Sequence, residues 1–146
     1  MKQATALPHP TYQAEFYQDV PMKRLIAWGI DTVLIFVLSI LLAVMTLGIA
    51  FFAFFGLFFL VGFAYRVATL ANGSATLGMR LMAIELRDSH GDRFDLGTAF
   101  LHTLGYSISW AIFPIQLLSM VLMVTTVQKQ GLTDLILSTV ALNRAA

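Results

Sequence analysis

Three charges and a histidine sit where an otherwise apolar chain has least reason to keep them. Asp31 interrupts residues 25–47, and Arg66 interrupts residues 48–71. His102 falls in a stretch, 96–127, that contains no Asp, Glu, Lys or Arg, and Asp134 precedes the apolar run 135–142. A carboxylate inside a membrane helix costs roughly 2.5–3.5 kcal/mol unless protein or water faces it, so Asp31 needs a partner or a task. Arg24 shares a helix face with Asp31, but helical side chains lean toward the N-terminus, which carries Arg24 away. Arg66 is the better partner, because antiparallel spans bring it to a matching depth, and an Asp31–Arg66 contact is expected. Such a pair locks a helical hairpin or serves in moving an ion or proton; alternatively, Arg66 snorkels to the headgroups.

The polar residues of the third stretch repeat at helical spacing. Thr98, His102, Tyr106 and Ser109 line one face. A histidine in such a stripe relays protons, binds a ligand, or is a satisfied hydrogen-bonding group between helices. With no second His or carboxylate at ligand spacing, no metal site is expected. Asp134, in Gln130-Gly131-Leu132-Thr133-Asp134, suits two roles. It caps a short helix, or it folds back onto Arg24 or Arg80 and joins the end of the chain to its beginning.

Other chemistries lack their residues. The absence of Cys excludes disulfides, thiolate-bound zinc, iron–sulfur clusters and thiol catalysis. No phosphate loop, HExxH, GxSxG or dinucleotide fingerprint occurs. Catalysis and a cofactor are therefore not expected. The net charge of +1 is spread along the chain, which argues against a nucleic-acid partner.

The elements that must hold these residues follow from composition. The chain is 58% apolar and 12% charged with a mean hydropathy of +0.80, against about 45–50% and 25% in soluble domains. The expected fold is an all-α membrane protein. A transmembrane hairpin spans 25–47 and 48–71, followed by a third hydrophobic segment, 96–127, broken near Pro114 and kinked or re-entrant. Between them, 72–95 is extramembrane, with a strand at 81–86 and a turn at 89–92 suggesting a short cytoplasmic β-hairpin or surface segment. Residues 1–21 read as a flexible cytoplasmic tail, 22–142 as the membrane domain and 143–146 as a tail. Lys23 and Arg24 before the first span, and Arg80, Arg87 and Arg93 after the second, place those segments in the cytoplasm. The C-terminus joins them if the third segment folds back.

Three stretches together resemble the RDD family of bacterial membrane proteins, named for one arginine and two aspartates. They are Lys23-Arg24-Leu25-Ile26-Ala27-Trp28-Gly29-Ile30-Asp31, Thr76-Leu77-Gly78-Met79-Arg80-Leu81, and Gly131-Leu132-Thr133-Asp134-Leu135. The resemblance puts Arg24, Asp31 and Asp134 in the signature positions. Met79 and Thr133 depart from it, standing where a lysine and a histidine are common. It implies a multi-pass protein of the bacterial inner membrane and the family's usual suggestion, transport of an unidentified solute. The leading expectation is transport of an ion or small solute by a homo-oligomer using Asp31, since two or three spans enclose no pore alone. The alternative is a non-transporting accessory or scaffold subunit in contact with a membrane partner, its charge cluster purely structural.

Overall fold

The computed structural model describes residues 7–144. Helix α1, Val20–Met45, carries Pro21 in its first turn, where the missing N–H costs nothing. At about 1.5 Å per residue its 26 residues extend roughly 39 Å, enough to cross a hydrocarbon core of about 30 Å. It ends in a Schellman turn: Gly48 N–H donates to the Ala43 carbonyl and Leu47 N–H to that of Val44. Leu47 takes the left-handed conformation there, with φ 57°. A 3-10 turn, Ile49–Ala53, then leads into α2, Phe54–Gly73, which returns antiparallel. Gly62 faces Ile35 of α1, and a Cβ there would sit in ordinary contact 3.5 Å from Ile35 Cγ2.

A short helix, α3 (Leu77–Leu81), is capped by Thr76, whose side chain accepts from Met79 N–H. It leads to strand β1, Ile84–Arg87, and a turn closed by Asp88 N–H on the Asp92 carbonyl. The expected local hairpin does not form. The chain leaving the turn binds Ser74 through Phe94 N–H instead, and β1 pairs with β2, Val140–Asn143, in antiparallel register. The segment after the turn is too polar to supply a buried strand, whereas Val140, Ala141 and Leu142 are all buried. The apolar run near the C-terminus accordingly divides. Helix α6, Leu132–Leu137, stops at Ser138, which has φ 58°, and the strand follows.

The third hydrophobic segment turns back on itself. Helices α4, Leu96–Ala111, and α5, Phe113–Thr125, meet at a bend of 118° next to Pro114. At 16 and 13 residues, roughly 24 and 20 Å, each is shorter than a perpendicular crossing requires. Both outer ends of the pair lie on the face that carries the sheet. Asp95 caps α4 there through Thr98 N–H, and Gln128 beyond α5 reaches the Tyr17 hydroxyl.

The N-terminal segment departs from the flexible tail expected for 1–21. From Leu7 onward it packs on the sheet: Tyr17 is 3% exposed, clusters with Val140 and Leu142, and donates to the Pro8 carbonyl. Asn143 donates to the Glu15 and Gln18 carbonyls and accepts from Lys23 Nζ. The aromatic and β-branched residues at these positions supply an apolar contact that a free tail would leave in water. Residues 1–6 of that tail, and 145–146 of the C-terminal one, lie outside the described residues. The remaining large apolar side chains face outward along the helices, with Leu47, Phe52 and Phe55 between 81% and 96% exposed. A belt of this kind belongs against lipid.

Candidate functional site

The buried charges sort into three nodes, each built by a different set of elements. The first joins α1, α4, α6 and the link from α6 to β2 at the sheet-bearing face. Asp134, 1% exposed, accepts from Arg24 Nη1 at 2.5 Å, from Thr139 Oγ1 at 2.8 Å and from Gly131 N–H at 3.1 Å. His102 Nε2 lies 2.8 Å from Asp134 Oδ1, the oxygen that also accepts from Thr139. Burial by itself raises such a carboxyl. The Arg24 guanidinium and the His102 contact outweigh it and hold Asp134 below the usual carboxylate range. Gly105 makes room for this node, because a Cβ there would lie 2.6 Å from Thr133 Cγ2.

The second node ties α3 to α1. Asp31, also 1% exposed, accepts from the Tyr65 hydroxyl at 2.7 Å, Gly78 N–H at 2.8 Å and Thr76 Oγ1 at 2.5 Å. The expected Asp31–Arg66 ion pair is absent among the described residues. Three neutral donors supplied by the Thr76 turn and by α2 occupy the carboxylate, so its charge is dispersed without a cation. Gly78 is required for this contact: a Cβ would meet the Ala27 carbonyl and lie 2.8 Å from Asp31 Oδ1.

The third node belongs to α1, α2 and α4. Arg66, 8% exposed, donates through Nη2 to the Tyr106 hydroxyl at 3.1 Å and sits 4.0 Å over the Tyr106 ring. The same hydroxyl accepts from Trp28 Nε1 at 2.7 Å. Trp28 stacks on Trp110 with centroids 5.4 Å apart. Arg66 does not snorkel outward; it is held inside by Tyr106.

These nodes border one partly open cavity of about 270 Å³ between α1, α2 and the re-entrant pair, with α6 contributing to its wall. Arg24, Asp31, Arg66, His102, Tyr106, Ser109 and Asp134 all contribute to its wall. Other expectations separate. Arg80 is exposed and pairs with no carboxylate among the described residues, lying instead beside Gly73. The polar stripe divides: His102 and Tyr106 serve different nodes, Ser109 donates to its own helix at the Gly105 carbonyl, and Thr98 lies near the capped start of α4. Among the described residues no three His, Asp or Glu side chains converge as metal ligands.

Several site residues escape a reading by charge. Tyr65 and Thr76 complete Asp31, Thr139 completes Asp134, and Trp28, Trp110 and Gln116 line the cavity. A signal existed for some. Trp28 stands four residues after Arg24 and so on the same helix face, and Gln116 and Ser119 are the polar residues at helical spacing in the otherwise apolar α5.

The sequence model of the RDD family matches residues 20–138, a range that begins with α1 and ends just before β2. No curated relative and no solved structure matches the chain.

Proposed function

The chain belongs to the RDD family and is a membrane protein, and from that premise we propose that it binds and moves a small solute through the cavity beneath its re-entrant pair. The observation that carries this reading is the cavity itself, about 270 Å³ and bordered by buried ionisable side chains at the depth of the bent helices. An ionisable group kept inside a membrane protein and facing a cavity supports a functional site there. Two spans and a folded-back pair enclose no through-going pore, so the pathway is completed by further copies of the chain. Lys23, Arg24, Arg80, Arg87 and Arg93 lie in or beside segments that gather at the sheet-bearing face, and the turn joining α1 to α2 has no Lys or Arg. That asymmetry supports a cytoplasmic position for this face, with both described ends of the chain there, in the inner membrane of a bacterium.

The buried carboxylates support a division of labour. Asp31 and Asp134 hold the helices in place, and solute meets the cavity wall near Arg66. Proteoliposomes holding native protein, Arg66→Met or Asp31→Asn, matched for folded protein, test this by flux of protons, alkali cations and small organic anions. The expected result is flux in the native protein, its loss in Arg66→Met, and its retention in Asp31→Asn. Loss confined to Asp31→Asn at full folding would transfer the transport role to Asp31. Silence in the native protein would overturn transport and favour an accessory subunit, a reading supported by the saturation of both carboxylates.

A further inference from the structure

We infer that the cavity accepts a small organic anion, its acceptor atoms completing the donors of Arg66, Tyr106, Trp110 and Gln116 and its apolar body lying along the tryptophan pair. This deepens the solute-binding reading above and rests on it. The Tyr106 hydroxyl oxygen accepts from both Trp28 Nε1 and Arg66 Nη2, which uses its two lone pairs. Its own proton is thus left to donate, and no acceptor for it exists among the described residues. Trp110 Nε1, a donor and nothing else, is buried without a partner, as is Thr103 Oγ1. The Gln116 side chain, 7% exposed, makes no hydrogen bond among the described residues. Arg66 has five N–H donors and uses one of them on Tyr106.

Charge points the same way. Arg66 is buried with no carboxylate paired to it among the described residues, and its compensation is a hydroxyl and an aromatic face. The nearby carboxylates are not held in reserve: Asp31 is engaged by three donors, and Asp134 by Arg24, His102, Thr139 and Gly131. A buried cation beside unmet donors costs free energy that an anionic ligand recovers, whereas a cationic ligand would add repulsion. The size and the other wall restrict the class further. About 270 Å³ lies just under the roughly 300–1,000 Å³ of pockets that hold drug-sized ligands, which points to a small occupant. Trp28, Trp110, Met120 and Met123 give the apolar side, suited to a ring or a short chain. A carboxylate or phosphate on such a body fits, whether it comes from a soluble metabolite or from a lipid headgroup.

The chain has two tryptophans, and both stand in this wall, so intrinsic fluorescence reports directly on occupancy. Full-length protein in phosphatidylcholine nanodiscs is titrated with benzoate, then with benzamide and benzylamine as neutral and cationic counterparts, and with inorganic phosphate. Benzoate should give a saturable change with affinity at least about tenfold above that of benzamide and benzylamine, as hydrogen bonds to a charged group imply. Arg66→Met should abolish the preference, and Trp110→Phe, which keeps the ring but removes the N–H, should weaken benzoate several-fold, as loss of one hydrogen bond implies. Arg66→Lys should retain part of it, which separates loss of charge from loss of fold.

Phosphatidylglycerol nanodiscs distinguish the sources of anion. Benzoate binding suppressed there identifies a lipid headgroup as the occupant, and unchanged binding identifies a soluble anion. Equal response to benzoate and benzamide, a preference for benzylamine, or no saturable response in phosphatidylcholine overturns the anion assignment. Because this is a binding measurement, binding without flux leaves the site standing and removes transport. Flux without anion preference does the reverse.

Discussion

The two halves of the buried polar interior obey opposite rules. Around Asp134 and Asp31, next to the sheet-bearing face, every strong acceptor is answered: Asp134 by Arg24, His102, Thr139 and Gly131, and Asp31 by Tyr65, Thr76 and Gly78. Around Arg66, in the cavity wall, donors outnumber acceptors, and Trp110 Nε1 and Thr103 Oγ1 have no partner. A saturated node is rigid and specifies geometry, while an unsaturated one in a cavity is a site waiting for a ligand. Asp31 and Asp134 are therefore placed as structural clamps, and solute binding, as proposed above, falls to Arg66 and its neighbours instead.

The largest expected effect comes from breaking the better-satisfied clamp. Asp134→Asn leaves the Arg24 guanidinium buried without its counter-charge, and removing one partner of a buried ion pair costs about 3–5 kcal/mol. Thermal unfolding in detergent, or loss of folded protein in the membrane, measures it. A change under about 1 kcal/mol would show that the node is not a clamp. Gly78→Ala attacks the other clamp through the backbone, since its Cβ would press on the Ala27 carbonyl and Asp31. Overpacking of this kind costs about 1–3 kcal/mol, and the same assay should rank it below Asp134→Asn.

Acid should act on the first clamp in a defined direction. Because the Asp134 carboxyl titrates below its ordinary value in the folded protein, its contribution is complete above the unfolded value of about 3.9 and is lost as pH falls below it. Unfolding temperatures followed from pH 7 to pH 3 should therefore fall more steeply for the native protein than for Asp134→Asn. Parallel curves would remove Asp134 from the acid response. The smallest effect is expected outside both regions. Arg144 Nε lies 3.5 Å from Glu85 Oε2 on the sheet with its side chain 35% exposed, and Arg144→Ala should change stability by less than about 1 kcal/mol.

The sequence reading reached the helices more readily than their contacts, for a physical reason. Lipid-facing helices announce themselves through long chargeless runs, so the hairpin and the break at Pro114 were legible, with the fold-back as one of two outcomes of that break. The Arg24–Asp134 contact was legible as one of two options, because buried opposite charges seek each other. The Asp31–Arg66 pair was misjudged because matching depth says nothing about neutral donors. Tyr65, Thr76 and a backbone N–H from a glycine carry no charge signal, and together they satisfy a carboxylate as well as a cation does. The pairing of β1 with β2 was hidden by sequence distance, since a turn beside a strand suggests a local partner, and Val140 to Leu142 read as the end of a helix.

The Arg24–Asp134 bridge joins residues 110 positions apart. At ribosomal rates of about 5–20 residues per second, Arg24 waits roughly 5–20 s for its counter-charge to be made. Throughout that interval the first two spans are already available to the bilayer, while the clasp that fixes their ends has not been synthesised. Membrane insertion of the first spans and the final clasp are thus separated in time.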